Sequence, residues 1–245
     1  MLLSRMKWLQ RHSYMISYSN TYIFAKHISI ISSHLLNNNN ISCIYNTNTY
    51  RYIHSNNKKK DDDEFDRLLK NLKYSGETKQ CAIYIDQQLA KNNITIYEIA
   101  TIMQKSSKYK LRLSDTQIDS ISFLVNKELK PIKMIPLCQM FHSLNAYDDN
   151  NNRILSLMKI LTLKLNNLQN SVSAQGIGNI LYGLQNMSSN NEGVQGILQA
   201  MIPHIKSCKD MFTSQGIGNA LYGLQNMNSN NVEVQGILQA MQPHI

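Results

Sequence analysis

Two stretches of the chain carry the same amide and aromatic side chains at one spacing. They read SAQGIGNILYGLQNM at 173–187 and TSQGIGNALYGLQNM at 213–227. On a helix turning about 100° per residue, positions spaced i, i+4, i+7 and i+11 lie along one side. We call the residues at these positions the polar stripe: Gln175, Asn179, Tyr182, Asn186, Gln215, Asn219, Tyr222 and Asn226.

The residue types of the polar stripe suit single-stranded RNA. An amide can donate and accept hydrogen bonds at a base edge, and an aromatic ring can stack on a base for about 1–3 kcal/mol. In an upstream, more divergent copy, Gln139 and His142 take the places of the asparagine and the tyrosine. The pattern therefore predicts contacts with successive nucleotides. Packing of Tyr182 and Tyr222 between neighbouring helices explains the two rings equally well.

A basic cluster upstream of the polar stripe is a candidate for holding phosphates. The sequence QKSSKYKLRL at 104–113 predicts one loop between helices that carries four cations, which are Lys105, Lys108, Lys110 and Arg112. Cations that neutralise backbone phosphates provide affinity without sequence preference. A solvated turn is the commoner role of such a cluster.

The elements that must position these residues repeat along the chain. Residues 173–205 and 213–245 align at a spacing of 40 and match at 26 of 33 positions. Apolar residues spaced i, i+3, i+4 and i+7 recur in the same register back to Ile96, which predicts paired amphipathic helices. A single pair cannot bury its apolar face, so we predict an all-α fold, an α-solenoid of about five helix-turn-helix repeats with a 40-residue period.

Glycines and prolines within the predicted helices need a physical explanation. Each glycine costs about 1 kcal/mol relative to alanine in a helix interior. We interpret Gly218 and Gly223 as positions where neighbouring helices approach closely. Pro203 and Pro243 are expected to end or kink the second helix of their repeats, because proline lacks the N–H that continues a helix. His204 and His244, which follow these prolines, are expected to be structural.

The N-terminal quarter differs in charge from the rest of the chain. Residues 1–60 contain eight Lys or Arg and no Asp or Glu. This Ser-rich, acid-free composition is typical of an organellar presequence. We predict a disordered targeting presequence at 1–57, a charged linker at 58–66 and the solenoid at 67–245. The predicted location is the mitochondrial matrix, with a plastid as the alternative; an Asn-rich tail without a targeting role also fits.

Several classes of function lack a sequence signal. The chain has no phosphate-binding loop, HExxH motif or nucleophile elbow, and its one carboxylate cluster, DDDEFD, lies at the predicted linker. Cys43, Cys81, Cys138 and Cys208 are far apart in sequence, which disfavours a zinc site or a disulfide framework. We therefore expect no catalytic activity, metal, cofactor, small-molecule substrate or membrane span, and mostly buried, reduced thiols.

The 40-residue unit and the sequence SQGIGNALYGLQNM resemble organellar helical-repeat proteins of protists and algae, the octotricopeptide and heptatricopeptide repeat groups. The resemblance covers about residues 95–245 and lacks the Pro-Pro-Pro-Glu-Trp signature of the octotricopeptide group. It implies binding of organellar RNA in RNA stability, processing, translation or ribosomal RNA assembly. Members often carry a C-terminal RAP domain, whereas here the array reaches Ile245 without a RAP domain or a polar cap. A solenoid that ended there would expose apolar surface, so we expect either that the sequence is part of a longer protein or that a partner covers this end. The alternative is a protein-binding scaffold, such as a subunit of an organellar ribosome, which the near-neutral charge after residue 60 favours.

Overall fold

The structure is a computed structural model that describes residues 64–72 and 78–244. Within these ranges it contains ten α-helices and no strand, so the prediction of an all-helical fold is confirmed there. The helices are α1 (64–72), α2 (Thr78–Leu89), α3 (Ile96–Lys108), α4 (Asp115–Lys127), α5 (Met134–Ser143), α6 (Asn152–Asn166), α7 (Ala174–Tyr182), α8 (Glu192–Ser207), α9 (Ser214–Gly223) and α10 (Val232–Met241). The presequence predicted for 1–57 lies outside the described residues, and helix α1 overlaps the predicted linker at 64–66.

The helices from α2 onward form two layers. The odd-numbered helices α3, α5, α7 and α9 pack side by side in chain order, and the even-numbered helices α2 to α10 do the same. One buried apolar cluster fills the space between the layers. This arrangement is consistent with an α-solenoid. None of the helices in the described ranges combines the length and the apolar character that a membrane span requires.

Asparagine, serine and threonine side chains cap the N-termini of several helices. Asn151, Asn191 and Asn231 are the N-caps of α6, α8 and α10, and each side-chain oxygen accepts a hydrogen bond from a backbone N–H of the first turn. Ser173 and Thr213 cap α7 and α9 in the same way. A short polar acceptor at this position satisfies donors that the helix leaves unpaired, for about 1 kcal/mol. Part of the asparagine content of the turns therefore has a structural cause.

Two glycines lie where the odd-numbered helices touch. A Cβ added to Gly183 would overlap the carbonyl oxygen of Phe141 in α5, and one added to Gly223 would overlap that of Leu181 in α7. The packing role predicted for Gly223 is confirmed. The prediction for Gly218 is wrong, because a Cβ there would meet no atom within 4 Å. Helix α9 has no odd-numbered neighbour on that side within the described residues, whereas a Cβ on Gly178 would lie 2.9 Å from the Gly216 carbonyl oxygen.

The prolines and the histidines that follow them occupy specific places. Pro203 lies inside α8, which continues to Ser207, so of the two predicted effects, ending or kinking the helix, the first does not occur. Pro243 lies in a 3₁₀ turn, Gln242–His244, after α10. The Nε2 atom of His244 is 3.0 Å from the Ile205 carbonyl oxygen, and its ring packs against Phe212 at 5.0 Å. This bond joins α8 to the turn after α10, as expected for a structural histidine.

Candidate nucleic-acid interface

Helices α7 and α9 end before the last residue of the polar stripe in each repeat. Helix α7 ends at Tyr182 and α9 at Gly223, so Asn186 and Asn226 lie in the turns that follow. In these turns the N–H groups bond three residues back, from Gln185 to Tyr182 and from Gln225 to Tyr222. Such tight turns advance about 120° per residue instead of 100°. The assignment of all four residues to one helix face is therefore wrong for Asn186 and Asn226.

Asn186 and Asn226 instead tie neighbouring turns together. The Asn186 side-chain amide donates to the carbonyl oxygen of Asn145 at 2.7 Å, and the Asn226 amide donates to that of Gln185 at 2.6 Å. Each bond joins the turn after one odd-numbered helix to the turn after the preceding one. These two amides connect the turns of neighbouring odd-numbered helices. An RNA ligand that bonded the same N–H groups would have to displace these hydrogen bonds.

The three aromatic positions form a stack that runs across helices α5, α7 and α9. The His142 and Tyr182 rings lie 5.1 Å apart with 13° between their planes, and the Tyr182 and Tyr222 rings lie 5.8 Å apart with 22° between theirs. We call these residues the ring ladder. Because a ring packs against each side of Tyr182, a base cannot stack on it while the ladder is intact. Tyr222, 37% exposed, ends the ladder.

Next to the ring ladder lies a row of side-chain amides, one from each of the same three helices. Asn179 and Asn219 are half-exposed, and neither side chain has a hydrogen-bond partner in the described part of the chain. In α5 the Gln139 amide donates to Gln104 at 3.2 Å, but its Oε1 atom is buried without a partner. We call Gln139, Asn179 and Asn219 the amide row. Asn179 and Asn219 offer a ligand donors and acceptors that the fold itself does not use, whereas the unpaired oxygen of Gln139 is covered by the surrounding chain.

Two further glutamines of the stripe lie in the first turn of their helices. Gln175 in α7 and Gln215 in α9 are exposed, and neither side chain has a partner among the described residues. They extend the row of available amides along each helix toward its N-terminus. The structure thus brings Gln175 with Asn179, and Gln215 with Asn219, onto the same two helices.

The basic cluster does not form one loop. Lys105 and Lys108 belong to α3, so the prediction that they lie between helices is wrong; only Lys110 and Arg112 follow the helix, and both are exposed. Lys105 forms an ion pair with Asp66 at 3.2 Å and lies over the Phe65 ring. Its charge is already offset within the fold. The remaining candidates for phosphate contact in this cluster are Lys108, Lys110 and Arg112.

Burial of the ladder histidine predicts a pH dependence of stability. Burial lowers the pKa of His142 from its ordinary value of 6.5, so the unfolded state binds its proton at a higher pH than the folded state. The contribution of neutral His142 to the free energy of unfolding is therefore fully present above about pH 7, and it is lost as the pH falls through 6.5 and below. We expect a lower Tm at pH 5.5 than at pH 7.5, and a smaller difference in His142→Phe. Equal pH dependence in both proteins would contradict this assignment.

No metal or disulfide chemistry is apparent in the residues that the structure describes. The prediction of buried cysteines is confirmed for Cys81, Cys138 and Cys208, and burial raises the pKa of the Cys138 thiol to about 12; Cys43 lies outside the described residues. No group of three His, Cys, Asp or Glu side chains in this region is placed to hold a metal ion.

Comparisons of the chain with protein-family models, curated proteins and solved structures gave no significant match.

Proposed function

We propose that this protein is a non-catalytic RNA-binding protein whose amide row contacts base edges of single-stranded RNA. The observation that carries the proposal is the pair Asn179 and Asn219, half-exposed side chains on adjacent helices without a partner in the described residues. An unpaired amide can bond both a donor and an acceptor of a base. The ring ladder supports this function by fixing the helices beside the row.

The same proposal includes the number and the period of the helical repeats. About five helix-turn-helix repeats with a 40-residue period would place one amide per repeat along the odd-numbered layer. The buried positions Cys81, Ile121, Leu161, Met201 and Met241, each 40 residues apart on the even-numbered helices, support this period. Helical repeats spaced in this way can read about one base each. The presequence-like N-terminus supports a mitochondrial location, and organellar RNA as the target.

The test is binding of the full chain to a labelled pool of randomised single-stranded RNA, followed by fluorescence anisotropy. We expect Asn179→Ala and Asn219→Ala each to weaken binding about fivefold, because one hydrogen bond contributes about 1 kcal/mol. Binding should also weaken as salt rises, because phosphate contacts release counterions.

The matched control for these variants is Asn166→Ala. Asn166 is an exposed asparagine at the end of α6, in the other layer of helices. The Asn166→Ala variant should bind RNA with the affinity of the parent protein. Absent or salt-independent RNA binding, or equal losses in all three variants, would refute the proposal and favour the protein-binding scaffold.

A further inference from the structure

The outward side of helices α2, α4, α6 and α8 carries one aligned, exposed apolar residue per helix. Ile83 in α2 is 47% exposed, Phe123 in α4 65% and Leu163 in α6 59%, and Pro203 in α8 is exposed as well. We call these four residues, each 40 positions from the next, the apolar row. The residues two positions earlier are all buried: Cys81, Ile121, Leu161 and Met201. The apolar row therefore lies on the side of each helix that faces away from the core.

The apolar row crosses four neighbouring helices. Helices α2, α4, α6 and α8 pack in that order. Packed helices lie about 8–10 Å apart, so the row is roughly 25–30 Å long. Exposed apolar side chains scattered singly are normal, but an aligned series across four helices is typical of an interaction surface. It belongs to the opposite layer of helices from the amide row.

The charge beside the apolar row is basic. Each of the four helices has one exposed lysine three or four residues from its apolar row residue; they are Lys79, Lys127, Lys159 and Lys206. Two carboxylates lie on the same side. The charge of Asp119 is offset by its ion pair with Arg153, whereas Asp86 accepts a hydrogen bond from the uncharged Gln117 at 2.8 Å and keeps its charge. The four lysines outnumber these carboxylates, so an incoming partner meets a surface of net positive charge.

We propose that the apolar row binds an acidic amphipathic helix of a partner protein. Every seventh residue of an α-helix advances about 10.5 Å along one side, which matches the spacing of the packed helices. A helix of about 22 residues with leucine at that spacing can place one side chain against each of the four members of the row. Glutamates flanking the leucines would face the lysines. A second copy of this chain would instead bring lysines against lysines.

The test uses a synthetic amphipathic peptide of about 22 residues, with a leucine at every seventh position and glutamates flanking the leucines, titrated into the full chain. We expect saturable binding that weakens with salt and that falls at least about tenfold in the double variant Phe123→Ser, Leu163→Ser, which removes two apolar contacts. The same peptide with lysine in place of glutamate should not bind. RNA affinity of the double variant should equal that of the parent, because the amide row lies in the other layer.

The matched control is the double variant Leu129→Ser, Met211→Ser. These two side chains are 96% and 93% exposed in loops outside the apolar row, so they report general adhesion of the peptide to apolar surface. Peptide binding should survive this change. Failure of the acidic peptide to bind, or equal losses in the two double variants, would overturn the proposal. Binding to phosphatidylserine vesicles through Phe123 and Leu163, without peptide binding, would overturn it in favour of a membrane surface.

Discussion

Replacing Gly223 by alanine is expected to destabilise the fold by about 3 kcal/mol or more, and Gly183→Ala should behave alike. The added Cβ overlaps a backbone carbonyl oxygen of the neighbouring helix, Leu181 in one case and Phe141 in the other. Overpacking of a core costs about 1–3 kcal/mol when side chains can adjust. A carbonyl held within a helix cannot rotate away, so the two helices must separate and lose part of their buried contact. Urea unfolding monitored by circular dichroism measures the change.

Gly218→Ala is the matched control for this prediction. Gly218 lies in the same helix as Gly223, and a Cβ there meets no atom within 4 Å. The alanine should therefore stabilise α9 by up to about 1 kcal/mol through helix propensity alone. The two variants of one helix should thus change stability in opposite directions. If Gly223→Ala is tolerated as well as Gly218→Ala, then α7 and α9 do not approach each other as closely as the structure shows.

Apolar periodicity predicted the helices because burial of one side dictates it directly. Leu157 in α6 and Ile197 in α8, which belong to the apolar period of the second helices, are both buried. Helix ends were harder to predict, because they depend on neighbours that are distant in sequence. The tight turns after Tyr182 and Gly223 occur where the chain lies against the preceding odd-numbered helix. A projection that assumes one continuous helix cannot detect that change.

The candidate site was only partly predictable for the same reason. Asn179 and Asn226 belong to the same stripe by sequence, yet Asn179 has no partner in the described residues while Asn226 bonds the Gln185 carbonyl. That difference depends on a backbone atom 41 residues away. The role of Asn151 as an N-cap could have been found, because a short polar residue at the start of an apolar period is a known signal. The exposed positions of the apolar row could have been found from the same periodicity.

Tyr182→Ala is expected to cost about 2–3 kcal/mol, more than Tyr222→Ala. Tyr182 stacks on both His142 and Tyr222, whereas Tyr222 stacks on Tyr182 alone. Each aromatic pair contributes about 0.5–1.5 kcal/mol beyond the area it buries. Tyr182→Phe keeps both stacked contacts and should cost about 1 kcal/mol or less. Urea unfolding of the three variants gives the order directly.

A double-mutant cycle separates stacking from simple burial. If the rings of Tyr182 and Tyr222 stabilise each other, the double alanine variant should lose less than the sum of the single losses, by about the energy of one aromatic pair. Additive losses would mean that the two rings pack independently, against their own helices. In that case a base could displace one ring without disturbing the other, and the tyrosines would again be candidates for stacking on RNA. Coupled rings instead leave recognition to the amide row, because opening the ladder would cost the ligand both stacked contacts of Tyr182.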